Sequence, residues 1–141
     1  MSRFQRLLAA LWAGSAFFLM LAASAAFRAV SDPTTAADVV GAMLMRWHYI
    51  ALAAPLALFS IEVTRPRRIV LAILFVAVML AASQALVDLR IRAIRFATTT
   101  PISDLDPSDP LRRRFGLLHG VSMVLLVGQA LAAAAVVTAK D

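Results

Sequence analysis

The sequence predicts an all-α protein, an integral membrane bundle of four transmembrane helices. Three observations carry that prediction. Of the 141 residues, 62% are hydrophobic, against roughly 45–50% in a soluble globular domain. The apolar residues fall in four runs, about 7–27, 37–61, 69–87 and 115–137, each close to the ~20 residues a helix needs to cross a bilayer. The thirteen Arg and single Lys sit mostly at the ends of those runs, where cytoplasmic anchors and interfacial side chains belong. A disordered chain is excluded by the same composition, and the expectation is one transmembrane domain over residues 1–141. The absence of Cys removes disulfides, thiolate metal sites and thiol nucleophiles from consideration.

The first span, Leu7 to Phe27, follows Arg3 and Arg6. A signal peptide cleaved after Ala23-Ser24-Ala25 is the competing reading. The length of the run, with Trp12 and Gly14 as packing residues, favours a retained helix. Thr35 with Asp38 reads as a capping box for the second span. Asp32 with Pro33 in the first helical position is the alternative start. The second span is interrupted by Arg46-Trp47-His48-Tyr49 and by Pro55, which bends a helix unless neighbours re-satisfy the freed carbonyl. A tight basic turn, Arg65-Pro66-Arg67-Arg68, leads to the third span. That span is cleanly apolar until Ser83, Gln84 and Asp88, and Arg90, Arg92 and Arg95 continue it to the interface. A long loop rich in Thr, Pro, Ser and Asp follows, and Asp109-Pro110 restarts a helix by the Asp-cap, Pro-first rule.

An even number of spans puts both termini on one side. Lys and Arg near the membrane ends total six on the side of the termini and seven on the side of the long loop, so the count alone is neutral. Two Arg before the first helix against one after it, together with the basic turn, favour cytoplasmic termini. Ala and Arg richness fits a GC-rich bacterial coding sequence, which makes a bacterial inner membrane the expected location. The basic residues form no contiguous face, so the partner is the lipid bilayer and not a nucleic acid.

Intramembrane polarity is concentrated in the half nearest the long loop. Ser24, Arg28, Ser83, Gln84, Asp88, His119 and Ser122 lie near that face, with Arg46 and His48 deeper. An ionisable group at such depth is by default a site hypothesis. Ser24 with Arg28, Gln84 with Asp88, and His119 with Ser122 are spaced to share helix faces. The expected ligand-binding set is therefore Arg28, Arg46, His48, Asp88, His119 and Ser122, converging on a polar pocket open to the long-loop side. Asp88 is expected to pair with Arg28 or Arg46. The plainer reading is that Arg28 and Asp88 snorkel to the interface and His48 is a hydrogen-bonded bundle residue. Gly116 and Gly120, continued by Gly128 and Ala132, are expected to pack on Ala10 and Gly14 of the first span, with a homo-oligomer through the Gly116/Gly120 face as the lesser alternative.

The stretch from Asp109 to Ser122, with Phe115 and then Leu118-His119-Gly120-x-Ser122, resembles the transmembrane protein 205-like family. Trp12-x-Gly14, Ala26-Phe27-Arg28 and Val40-Gly41 leading to Tyr49 add to the likeness. The chain departs from it at Ala26, where the family often has Pro, and at Leu126, where it often has Asn. The resemblance implies a retained first span and a four-helix membrane bundle, and it implies no reaction.

The functional expectation is a small membrane protein, not an enzyme, that binds or passes a small solute or ion through the polar pocket. The alternatives are a haem-binding electron carrier with His48 and His119 as axial ligands, and a ligand-free assembly or regulatory subunit. No Gly-x-Ser-x-Gly, His-Glu-x-x-His or phosphate-cradling glycine loop is present. The six Met are scattered, so no metal or cofactor is assigned.

Overall fold

The computed structural model describes residues 2–64 and 66–139. Arg65 and Lys140, which entered the count of Lys and Arg, lie outside the described residues. Four long helices follow one another: α1 Arg3–Ala29, α2 Pro33–Glu62, α3 Arg68–Phe96 and α4 Pro110–Thr138, with a short 3-10 turn Ile102–Asp104 in the long connection before α4. No strand occurs among the described residues. All four helices are long and apolar enough to cross a membrane. Each packs on the next in the chain, and α4 closes against α1. The result is an up-and-down four-helix bundle.

The helices are 27 to 30 residues long, or about 40–45 Å at ~1.5 Å per residue. That exceeds the ~30 Å of hydrocarbon in a bilayer, and the surplus appears as capped, charged ends. Ser2 caps α1 by accepting from the Gln5 backbone N–H, while the Gln5 side chain reaches back to Ser2 N. Asp32 caps α2 by accepting from the N–H groups of Thr34 and Thr35, with Pro33 in the first turn. The Thr35–Asp38 capping box is therefore not formed. Pro33, with its fixed φ and missing N–H, starts the helix earlier, and Asp38 pairs with Arg95 on α3 instead. Asp109 caps α4 ahead of Pro110, as the sequence indicates. The α2 helix runs unbroken through the buried Pro55.

Alanine sets the close approach of the helices. Ala9, Ala16, Ala51, Ala77, Ala81 and Ala133 are wholly buried, and small side chains at a crossing let backbones near one another. The glycine row does not play that part as a unit. A Cβ added at Gly116, Gly120 or Gly14 would meet nothing within 4 Å, whereas one at Gly128 would lie 3.2 Å from Leu80 Cδ1 on α3. Ala10 is exposed as well. The expected packing of the Gly116/Gly120 face on Ala10 and Gly14 is corrected accordingly. Its physical reason is helix geometry: each four-residue step turns the row by about 40°, so Gly116 and Gly128 point about 120° apart.

Two outcomes follow for the fold. Gly128→Leu is expected to lower stability by about 1–3 kcal/mol through overpacking against Leu80, while Gly120→Leu stays within about 0.5 kcal/mol; unfolding in detergent followed by circular dichroism reads both. The Thr35 hydroxyl, and then the Thr34 and Thr35 N–H groups, hold the Asp32 carboxyl below its ordinary value of 3.8. A depressed folded value means the cap contributes fully above the unfolded value and is lost as pH falls through the folded one. Amide exchange at Thr34 and Thr35, corrected for intrinsic rate, should accelerate in that acid window, and Asp32→Ala should abolish the pH dependence.

Candidate functional site: a buried histidine–aspartate pair and its amide network

On α3, Gln84 and Asp88 stand one turn apart and both are buried. Helix α2 brings His48 to the second of them, with His48 Nε2 2.9 Å from Asp88 Oδ2 and side-chain exposures of 11% and 9%. His48 is midway along the 30-residue α2, about 22 Å from either helix end. Helix α4 supplies Ser122 and Gln129, two turns apart on its buried stripe. Gln84 Nε2 donates to Ser122 Oγ at 3.3 Å, and Gln129 Nε2 donates to Gln84 Oε1 at 2.6 Å. Gln129 Nε2 also donates to the Leu125 carbonyl. On the other side of the pair, Trp47 Nε1 donates to Ser15 Oγ of α1 at 3.3 Å, and Ser15 Oγ donates to the Trp12 carbonyl. A single polar core thus ties α1 to α2, α2 to α3 and α3 to α4.

That core has spare hydrogen-bonding capacity. His48 Nδ1, Asp88 Oδ1 and Gln129 Oε1 are buried without a partner among the described residues, as is Trp12 Nε1. Buried polar atoms are paired in the large majority of cases, and leaving one unpaired costs about 1–3 kcal/mol.

A second polar cluster closes the opposite end of the bundle. Glu62, only 4% exposed, accepts from the Arg67 backbone N–H and from Arg67 Nε through Oε1, and from Arg67 Nη2 and Gln5 Nε2 through Oε2. This clip holds α1 against the α2–α3 turn and takes the place of a side-chain cap at the start of α3. Between the two clusters lies an apolar layer that includes Leu58, Val70, Leu74 and Val136, all buried.

Of the residues expected at a site, His48 and Asp88 meet directly, while Ser122 bonds to Gln84, one turn before Asp88 on α3. Arg28, Arg46 and His119 do not join. Asp88 pairs with His48 and not with Arg28 or Arg46, both of which are exposed. Arg46 precedes His48 by two residues, which turns it about 200° away around the helix. His119 is exposed and stacks on Phe115 with ring centroids 6.1 Å apart. The i,i+3 spacing from Ser122 leaves about 60° between them, enough at the edge of a bundle to put one residue inside and the other out. The two axial ligands of the haem reading are not brought together: His48 is turned in to Asp88, while His119 is exposed beside Phe115. Ser24 is exposed like Arg28.

Sequence reasoning left Gln84 and Gln129 off the site, and gave Glu62 no part in the bundle. Signals existed for two of these. Ser122 and Gln129 are seven residues apart and so share a face, and Gln84 precedes Asp88 by one turn. Nothing in the sequence paired Glu62 with Gln5, 57 positions away.

No family model, curated protein or solved structure matches the chain. The likeness to the transmembrane protein 205-like family therefore rests on the residues quoted for it.

The amide network makes a measurable asymmetry. Gln84→Ala strands Gln129 and Ser122 and should cost about 1–3 kcal/mol. Gln84→Leu combined with Gln129→Leu removes both amides and should recover most of that loss. Equilibrium unfolding of the single and double variants in mild detergent decides between them.

Proposed function

We propose that the chain is a small integral membrane protein, not an enzyme, that binds or passes a small solute or ion through the polar core on its long-loop side. The carrying observation is the His48–Asp88 pair, buried midway along α2. Ionisable groups at that depth are expensive and mark ion or proton pathways and ligand sites. Stability does not demand them, since a buried ion pair replaced by well-packed apolar residues is often neutral or stabilising. The core also reaches further than one bond, through Gln84, Ser122 and Gln129.

Other features support the same reading. A hydrolytic triad would need a hydroxyl or thiol on the free nitrogen of the imidazole, and His48 Nδ1 has no partner among the described residues. The location read from composition and Arg placement is a bacterial inner membrane with cytoplasmic termini. Membership of the transmembrane protein 205-like family accords with the four helices. A ligand-free assembly subunit is the second reading, favoured by Gly116 and Gly120, which lie open on the outer face where a further copy of the chain could pack.

Reconstitution into liposomes tests the first reading against the second. The full chain is assayed with a panel of protons, monovalent cations, small anions and small neutral solutes, beside Asp88→Asn and Gly120→Leu. At least one flux should exceed that of protein-free vesicles and fall about ten-fold in Asp88→Asn, the equivalent of about 1.4 kcal/mol. Wild-type vesicles as tight as empty ones, with a homo-oligomer that Gly120→Leu dissociates, would establish the assembly reading instead.

A further inference from the structure

We infer that the ion handled by the polar core is the proton, and that the His48–Asp88 pair exchanges it with water on the long-loop side only, along the seam between α2 and α3. This rests on the reading that the core handles a small ion, and names that ion.

The seam is a graded polar ladder. Asp38 meets Arg95 at the outer rung, with side-chain exposures of 67% and 28%. Arg92 Nη1 lies 3.0 Å from Met45 Sδ on the next rung, and His48 meets Asp88 at the innermost. From Asp38 to His48 is about 15 Å along α2. The ladder therefore leads from an exposed ion pair to a buried one. Beyond it, the layer with Leu58, Val70, Leu74 and Val136 offers a proton no partner towards Glu62. The path is open at one end and stopped at the other.

The chemistry of the inner rung selects the proton over larger cargo. His48 Nε2 and Asp88 Oδ2 are in direct hydrogen-bond contact, which leaves no room between them for a metal ion or a solute. No group of three or more His, Cys, Asp or Glu that could hold a metal occurs among the described residues. What the rung does offer is a buried imidazole nitrogen and a buried carboxylate oxygen with no partner among the described residues, the two atom types that take a proton from water. With Nε2–H donating to Oδ2, a hydrated proton arriving at Nδ1 or Oδ1 forms one N–H or O–H bond and leaves its water behind. The pair then passes from one negative charge to none, and nothing is oxidised or reduced. The charged and polar groups near the pair are few. Arg92 is one turn along the same face of α3, and Arg95 is paired with Asp38. At this level α1 and α4 contribute Ser15 and Ser122, neither of them ionised. Arg46, Arg90 and His119 lie on exposed faces.

Infrared difference spectroscopy of the full chain in proteoliposomes, with the external or the internal pH stepped, reads this directly. A step on the long-loop side should produce a carboxylic-acid C=O band that is lost in Asp88→Asn, with accompanying imidazole bands that persist in His119→Gln and so belong to His48. The same step on the side of the termini should produce neither. If neither band responds to a step on either side, the pair is a static bridge and the inference falls. A response from the side of the termini overturns the one-sided path. The wild-type spectra stand by themselves should Asp88→Asn not fold. A solute flux sensitive to Asp88, with silent infrared spectra, would leave the broader reading intact and remove the proton from it.

Discussion

Taking a carboxylate and an imidazole out of water costs several kcal/mol per ion, and this bundle does so where α2 and α3 cross. The rest of the interior is arranged around that cost. Asp88 is held by His48 from the neighbouring helix. Gln84, one turn along from Asp88, bonds to Ser122 and Gln129 of α4. Trp47, next to His48 in the chain, turns its indole N–H to Ser15 of α1. Polar contacts within a turn or two of the pair thus tie α1 to α2, α2 to α3 and α3 to α4. In a bilayer, where apolar burial gives little drive for helix association, packing and such contacts set the arrangement.

The wholly buried alanines make the geometry of these contacts reachable. A side chain larger than Ala at positions 51 or 81 would hold the helices apart, and the Gln84 amide reaches Ser122 only at short interaxial distance. Close packing and buried polarity are consequently one design in this molecule. The glycines are largely outside it: only Gly128 meets a neighbour closely, in Leu80. An apolar groove of about 500 Å³ between α1 and α4, lined by residues such as Ala13, Phe17, Val127 and Leu131, shows the looser seam.

The fold was legible because bilayer physics is written in composition. Four runs of the right length, with Arg at their ends, allow almost no other arrangement, and the helices overrun the predicted spans at their polar ends, most of all where α3 runs on through Arg90, Arg92 and Arg95 to Phe96. The pairing inside the bundle was less legible, and the reason is angular. Spacing of i,i+3 or i,i+4 locates residues on one flank of a helix to within about 60°, while burial in a four-helix bundle is decided within a similar angle. Gln84 with Asp88 fell on the inner side of that margin. His119 with Ser122 straddled it, and Ser24 with Arg28 fell outside. Glu62 illustrates a different limit. Its partners are a Gln near the N-terminus and an Arg beyond a turn, and no local pattern joins them.

The sequence also suggested two halves, one polar and one oily. The interior has three tiers instead: a polar core, an apolar layer through Leu58 and Leu74, and the Glu62–Arg67–Gln5 clip. The difference between the two polar tiers is instructive. Both Glu62 oxygens are fully engaged, by donors from two other segments. Such saturation fixes a structure and leaves nothing for a ligand. The inner pair is the reverse case, with one nitrogen and one oxygen that find no partner among the described residues. A group that is buried, ionisable and incompletely satisfied carries an energetic cost that only a further binding event removes. On that physical ground the functional reading belongs to His48 and Asp88, and Glu62 belongs to the scaffold.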